Sequence, residues 1–267
     1  MVLLVIFFVF NAALIFYLFL WKPTPINHFY TEFQPLFIAH RGLHKTVPEN
    51  TISSVKQAIS SGFMAIELDV IGDSKNNIVC SHNLDLERET GGNGFIDEKE
   101  FGELQQACYR KSEQDKNHNI PLLKTVLERF NKEAIFVLDI KTRGALDIVL
   151  VKKISRLIKT LDLESSIVVS SFNPLFLLVL KWYNSKIFTG FIFKNPKHLK
   201  LINIIHPDLL HPRGNIVDKN LINYSKKKNL PINVWTINNS LSWRWLSSLG
   251  VSGIITDELP DFNKKTK

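Results

Sequence analysis

The chain has 267 residues, a formal net charge of +8 and 45% hydrophobic residues. This length suits one large domain, and α/β barrels are commonly of this size. Its two cysteines, Cys80 and Cys108, exclude a disulfide framework and a four-ligand zinc site of cysteines. The lysine-rich stretches 225–228 and 264–267 lack interleaved aromatic residues, and no zinc-finger spacing is present, so we expect no nucleic-acid partner.

The first element in the chain is a predicted transmembrane helix. Residues 2–21 are apolar almost throughout, carry no charged side chain and are interrupted only by Asn11. Such a run has the length that a helix needs to cross a bilayer core. No positively charged residue precedes it and no small-residue cleavage pattern follows it, which favours an uncleaved anchor over a signal peptide. The positive-inside rule, applied to Lys22 and the basic domain behind it, predicts a single-pass membrane protein with that domain in the cytoplasm.

From Pro35 onward, apolar runs of strand length alternate with amphipathic runs of helical length. This alternation is typical of a closed parallel (β/α)8 TIM barrel rather than an open doubly wound sheet. Eight strands are predicted, at residues 36–40, 64–70, 134–140, 166–171, 187–193, 208–212, 232–237 and 253–257. The predicted organisation is a transmembrane helix (1–21), a tether (22–35), a barrel (36–262) and a basic tail (263–267).

A ninth apolar run, residues 78–82, does not fit the parallel pattern. It follows the strand of Glu67 and Asp69 after a connection that is too short for a parallel crossover. The spacing therefore predicts an antiparallel hairpin, inserted into the barrel, with its turn near Lys75. Pairing across that turn places His82 beside the two carboxylates.

Polar side chains interrupt the apolar strands or follow them directly. In parallel barrels the active site is built at the carboxyl ends of the strands, so these side chains are expected to converge. Two of them also have a purely structural interpretation, since Arg41 could pair with Glu49 and Lys141 with Asp139. The residues singled out are His40, Arg41, Glu67, Asp69, His82, Asp139, Lys141, Trp235 and Thr236.

These residue types predict a metal-dependent phosphoester site. Cleavage of a phosphodiester requires a proton acceptor, a proton donor and positive charge on the non-bridging oxygens. Imidazoles titrate near neutral pH, carboxylates suit Ca²⁺ or Mg²⁺, and Arg and Lys bind phosphate. The predicted roles are acid and base for His40 and His82, metal ligation for Glu67, Asp69 and Asp139, and phosphate binding for Arg41 and Lys141.

The ordered motifs around these residues resemble the glycerophosphodiester phosphodiesterase family. The resemblance runs from about Phe37 to Pro260 and includes IAHRG, PENT, AIELD, IVCSH, FVLDIK, SSF, NVWTIN and GIITDELP. It implies a metal-dependent hydrolase that converts glycerophosphodiesters to glycerol 3-phosphate and an alcohol through a cyclic phosphate. It also implies that Glu49 and Asn50 organise a loop near the site. Trp235 would line the glycerol or headgroup pocket, although a purely structural buried aromatic is an equal alternative.

Two positions depart from the family pattern. Asn83 follows the second histidine where the family usually has Asp, and Asp139 stands where the family usually has Glu. The shorter Asp139 leaves the choice between Ca²⁺ and Mg²⁺ open, because Mg²⁺ demands stricter geometry. Two alternative functions also stay open: a lysophospholipase D that acts on membrane lysophospholipids, and a catalytically silent module that binds phospholipid headgroups.

Overall fold

The computed structural model describes residues 2–30, 35–110 and 118–262. Within these residues the strands are β1 (Leu36–His40), β2 (Ala65–Gly72), β3 (Ile78–Cys80), β4 (Ile135–Ile140), β5 (Ile167–Ser171), β6 (Phe188–Phe193), β7 (Leu209–Pro212), β8 (Asn233–Val234) and β9 (Gly253–Thr256). The α-helices are α1 (Val2–Phe19), α2 (Ile52–Ser60), α3 (Phe101–Leu104), α4 (Leu123–Phe130), α5 (Ile148–Thr160), α6 (Pro174–Tyr183), α7 (Ile202–Ile205), α8 (Lys219–Lys228) and α9 (Ser240–Leu249).

Eight of the strands form a parallel sheet that curls into a nearly closed barrel. Their order is β7-β6-β5-β4-β2-β1-β9-β8, and the bridges Leu210–Ile232 and Arg213–Trp235 join β7 to β8. The strands are mostly apolar on both faces because one face packs against the helices and the other fills the barrel; β6, for example, has no charged side chain and is buried at every residue. The predicted (β/α)8 barrel is confirmed.

The strand bounds agree closely with the prediction except at β8. Residues 232–237 were expected to form a full strand, but the ladder is limited to Asn233–Val234 with isolated bridges on either side. After Val234 the backbone makes isolated hydrogen bonds, such as the one from the Ile237 amide to the Ile255 carbonyl at 2.9 Å, so the regular ladder ends although the apolar pattern continues. Strand β8 is therefore short where the barrel closes.

The ninth run is the antiparallel partner of β2, as predicted. Val70 pairs with Cys80 and Gly72 with Ile78, so the turn is centred on Lys75. Continued by two residues, this register brings His82 level with Leu68, on the strand that carries the predicted carboxylates. The chain then forms a small insertion with its own apolar cluster, which includes Leu86, Ile96, Leu104, Tyr109 and Ile120.

The N-terminal segment meets the barrel at the amino ends of the strands. Ile26 and Phe29 are buried there against Phe188 and Leu209, which begin β6 and β7. Residues 22–30, the described part of the predicted tether, therefore pack on the barrel. The 18-residue α1 has a mean hydropathy of 2.8 and no buried residue, which is the length and composition of a membrane span or of a signal sequence. The predicted basic tail, residues 263–267, lies outside the described residues.

Candidate active site

The predicted polar side chains converge on one cavity at the carboxyl ends of the barrel strands. The cavity has a volume of about 150 Å³. Its lining includes every residue that the sequence singled out: His40, Arg41, Glu67, Asp69, His82, Asp139, Lys141, Trp235 and Thr236. The barrel thus brings together residues that are far apart in sequence, because they lie beyond the carboxyl ends of the strands or, like Glu67, level with the last residue of a neighbouring strand.

The two histidines enter the cavity from different elements. His40 ends β1; its Nδ1 lies 2.6 Å from Oδ1 of Asp257 and its Nε2 lies 4.0 Å from Oε2 of Glu67. His82 follows β3, so the hairpin positions it. Burial lowers the pKa of His82, although the Asp69 carboxylate acts in the opposite direction. Both imidazoles line the cavity.

Asp257 fixes the orientation of His40. Burial alone would raise the pKa of Asp257, but hydrogen bonds from His40, His44 and Asn238 lower it well below its usual range. The carboxylate is therefore ionised and accepts a hydrogen bond from Nδ1–H of His40. This leaves Nε2 of His40 directed to the site.

Three buried carboxylates form a candidate cation site. Oxygen atoms of Glu67, Asp69 and Asp139 lie within 4.8 Å of one another. Burial and the neighbouring carboxylates raise the pKa of Glu67, and burial raises the pKa of Asp139 to about 6. Oδ1 of Asp139 is buried and has no hydrogen-bond partner among the described residues. Hard oxygen donors, crowding of like charges and an unsatisfied oxygen together fit a divalent cation of the Ca²⁺ or Mg²⁺ type.

Two cations border the carboxylates. Nζ of Lys141 lies 2.8 Å from Oδ1 of Asp69 and 2.5 Å from Oδ2 of Asp139. Nε of Arg41 lies 2.9 Å from Oδ2 of Asp69, and its Nη1 lies 2.7 Å from Oε1 of Glu49. The expected ion pairs of Arg41 and Lys141 are thus present, and they hold both cations at the edge of the cavity.

The loop after β1 has a strained backbone that sets the position of Arg41. Arg41 has a φ of 57° and Gly42 a φ of 74°, both in the left-handed region. A Cβ on residue 42 would lie 2.6 Å from the backbone of Ser54, so only glycine fits. Asn50 then accepts a hydrogen bond from the backbone of Asp69 at 2.9 Å and donates one to its carboxylate at 3.1 Å. The PENT stretch therefore organises the site, as the resemblance implied.

The wall opposite the carboxylates is aromatic and basic. Trp235 donates a hydrogen bond to the carbonyl of His211 at 2.7 Å and packs edge-on against Phe172, with ring centroids 5.6 Å apart. Nζ of Lys194 lies 5.1 Å from the Phe172 ring centre and 5.9 Å from that of Trp235. Such a wall suits the carbon skeleton and the anionic group of a small organic phosphate.

Sequence reasoning missed Asp257, His44, Phe172 and Lys194. A signal existed for three of them, because Asp257, Phe172 and Lys194 directly follow β9, β5 and β6. Residues at the carboxyl ends of barrel strands line the active site, and this rule, which located His40 and Lys141, applies equally to these three. His44 carried no such signal, since its contact with Asp257 arises from the conformation of the loop after β1.

A second cavity of about 420 Å³ adjoins the first on the side of the insertion. Glu49 and Glu89 line it, and each has an oxygen within 4.8 Å of a ring nitrogen of His82. Asn83 donates a hydrogen bond to Glu89 at 2.5 Å, so this residue contacts the insertion. Burial and the Glu49 charge raise the pKa of Glu89 to about 7.

Comparisons with known proteins agree with this geometry. The model of the glycerophosphoryl diester phosphodiesterase family matches residues 40–260. A glycerophosphodiester phosphodiesterase from Caldanaerobacter subterraneus is 30% identical over 230 residues, which are 84% of this chain and 94% of that protein. A human lysophospholipase D is 27% identical over 275 residues, 84% of this chain and 85% of that protein.

Solved structures share the fold. A phosphodiesterase from Oleispira antarctica, in complex with the product sn-glycerol-3-phosphate, superposes with a TM-score of 0.80 at 24% identity and covers 88% of this chain and 96% of its own. A glycerophosphodiester phosphodiesterase from Thermotoga maritima has a TM-score of 0.70 at 23% identity, with 85% and 96% covered.

Proposed function

The chain belongs to the glycerophosphoryl diester phosphodiesterase family, and on that premise we propose that it hydrolyses glycerophosphodiesters to glycerol 3-phosphate and an alcohol. The observation that carries this proposal is the charge balance of the cavity. Three carboxylates are balanced by three cationic side chains, those of Arg41, Lys141 and Lys194. A bound divalent cation would leave two positive charges, which match the negative charge of a phosphodiester and the further negative charge that develops when its phosphorus is attacked.

Glu67, Asp69 and Asp139 would hold this cation, which is Ca²⁺ or Mg²⁺. When bound, it would supply positive charge that stabilises a phosphate oxygen in the transition state. In the structure, Lys141 and Arg41 bind these carboxylates. With substrate bound, some of their N–H groups would instead donate hydrogen bonds to the non-bridging oxygens of the phosphodiester. Arg41 stays oriented by Glu49 while it does so.

The proton transfers are assigned to the two histidines. His40 accepts the proton of the glycerol hydroxyl next to the phosphorus, and the Asp257 carboxylate stabilises the imidazolium that forms. His82 donates a proton to the departing alkoxide; its lowered pKa makes the imidazolium a stronger acid. The hydroxyl oxygen bonds to phosphorus as the alcohol leaves, which gives a cyclic phosphate.

Hydrolysis of the cyclic phosphate reverses these roles. His82 takes a proton from water, the water oxygen bonds to phosphorus, and His40 returns its proton to the glycerol oxygen. Both histidines are then back in their starting states. Trp235 and Phe172 would contact the glycerol carbons throughout.

We assign α1 as a single-pass membrane anchor, because it is long and apolar and none of its residues is buried. A lysophospholipase D activity is the second candidate function, supported by the human relative of that name.

The test uses the full chain, purified in detergent, with glycerophosphocholine as substrate. Glycerol 3-phosphate and choline should appear in equal amounts in Ca²⁺ or Mg²⁺, and neither should form in excess EDTA. Intact substrate under every metal condition would refute the proposal. Binding of glycerophosphocholine without turnover would instead support the silent headgroup-binding module.

A further inference from the structure

The last turn of α1 is attached to the end of the barrel that is opposite the candidate active site. The Tyr17 hydroxyl donates a hydrogen bond to the Ile204 carbonyl at 2.7 Å, and the Tyr17 ring contacts His206 at 4.4 Å. Both partners lie just before β7, which begins at Leu209. Residues that precede a parallel strand lie at its amino end, whereas the active site lies at the carboxyl ends.

Residues that follow α1 continue this attachment. The Trp21 ring stacks on His206, with centroids 4.8 Å apart, and Nζ of Lys228 lies 5.4 Å from the Trp21 ring centre. The Thr24 amide donates to Asp208 at 2.8 Å. Together with the buried Ile26, these contacts fix the end of α1 to the barrel. A rigid attachment means that the orientation of the barrel follows that of the helix.

The composition of this end of the barrel suits a membrane surface. Trp182 and Tyr183 are exposed at the end of α6, whose Lys181 contacts Thr24 and Asp208. The exposed basic residues Arg156, Lys159 and Lys186 line the same surface cavity as these two aromatic residues. Aromatic rings favour the headgroup region of a bilayer and lysines favour anionic lipids. In contrast, α1 itself is exposed from Val2 to Phe16 apart from half-buried Asn11, so this part is free to enter the bilayer.

We infer that the amino-terminal face of the barrel lies against the bilayer and that the active site opens away from it, so the substrate is a deacylated, water-soluble glycerophosphodiester. This inference rests on the proposed function. The six-residue strand β4 alone places the cavity roughly 15 to 20 Å from the membrane-facing end. A lysophospholipid would have to withdraw its whole acyl chain from the bilayer to bring its phosphate to Arg41 and Lys141. The argument depends on the attachment of α1 to the amino-terminal face of this barrel.

The orientation is tested in the full chain, reconstituted into phosphatidylcholine vesicles that contain phosphatidylglycerol. A fluorescent label is attached to Trp182→Cys or Leu241→Cys, in a Cys108→Ser background in which the remaining Cys80 is buried. Positions 182 and 241 are matched in exposure, at 69% and 68%, but lie at the end of α6 and the start of α9, at opposite ends of the barrel. A lipid with a quencher in its headgroup should quench the label at 182 several-fold more than the label at 241. Equal quenching, or the reverse order, overturns the orientation.

The substrate class is tested in the same vesicles. Glycerophosphocholine should be hydrolysed as fast in vesicles as in detergent, while long-chain lysophosphatidylcholine in the bilayer should react more than an order of magnitude more slowly. Equal rates for the two substrates in vesicles overturn the inference. If glycerophosphocholine is not hydrolysed even in detergent, the proposed function fails, and the quenching result still decides the orientation.

Discussion

Nδ1 of His40 lies 2.6 Å from Oδ1 of Asp257, a contact that joins the first barrel strand to the last. The two residues are far apart in sequence, but β1 and β9 are neighbours in the sheet. The carboxylate fixes the tautomer of the imidazole and stabilises its protonated form, while Nε2 remains available in the cavity. Asp257 is therefore a positioning residue in the proposed mechanism.

Asp257→Asn should lower kcat by about 10²-fold with little change in KM, since His40 would lose its orientation and its stabilising charge. The loss should appear in kcat per folded molecule, because His40 acts on the bound substrate. A merely structural role for Asp257 would lower the folded fraction and leave kcat per folded molecule unchanged. Glu258→Gln is the matched control; Glu258 follows Asp257 and pairs with Lys45 on the surface, so its kcat should equal that of the wild type.

Replacement of any one of Glu67, Asp69 and Asp139 by its amide should weaken cation binding. We expect a loss greater than the roughly 10- to 100-fold that removal of an outer-shell partner costs. Affinity should also fall as the pH drops below about 6, because the pKa of Asp139 is about 6 and the protonated carboxyl cannot bind a cation. Calorimetric titration with Ca²⁺ measures both effects. Asp162→Asn, on the surface, is the control, and an unchanged affinity in all three site variants would refute the metal assignment.

Gly42→Ala should destabilise the loop after β1 and displace Arg41. The added Cβ would lie 2.6 Å from the Ser54 backbone at a φ of 74°, so we expect a loss of about 1–3 kcal/mol in unfolding free energy. Activity should fall as well. Urea denaturation compares this variant with Gly144→Ala, where a Cβ meets nothing within 4 Å. Equal stability of the two variants would contradict the argument from steric fit.

Buried His211 should make stability depend on pH. Burial lowers its pKa from 6.5 to about 3, so between these values the unfolded chain binds a proton that the folded chain excludes. The resulting stability is present above about pH 6.5 and is lost as the pH falls toward 3. Between these two pH values, His211 should make the unfolding free energy rise by up to about 1.4 kcal/mol per pH unit. His211→Gln should remove this contribution, whereas His198→Gln, at an exposed position, should not. Denaturant unfolding between pH 4 and 7 measures the unfolding free energy of each variant. If this free energy changes with pH equally in His211→Gln and in the wild type, the assignment to His211 is wrong.

The sequence was sufficient for the barrel and for most of the cavity, because both depend on regular patterns. Apolar runs defined the strands, and the polar residues at their ends, such as His40 and Lys141, could be assigned to one face. The turn at Lys75 could be placed because hairpin register depends on a short connection.

The sequence was insufficient where side chains meet through irregular structure. The contact of His44 with Asp257 depends on a loop conformation that no periodicity specifies. The packing of Ile26 and Phe29 against the barrel depends on a chain direction that composition does not determine. The short β8 was missed since its apolar pattern continues beyond the point where the regular ladder ends.

The most direct test of the proposed mechanism is the rate of glycerol 3-phosphate formation from glycerophosphocholine by His40→Ala and His82→Ala, each saturated with Ca²⁺. Both variants should bind the cation like the wild type and lose roughly 10²- to 10⁴-fold in kcat, because each lacks one of the two proton-transfer groups. Near wild-type turnover by either variant would show that its histidine does not transfer a proton in the reaction.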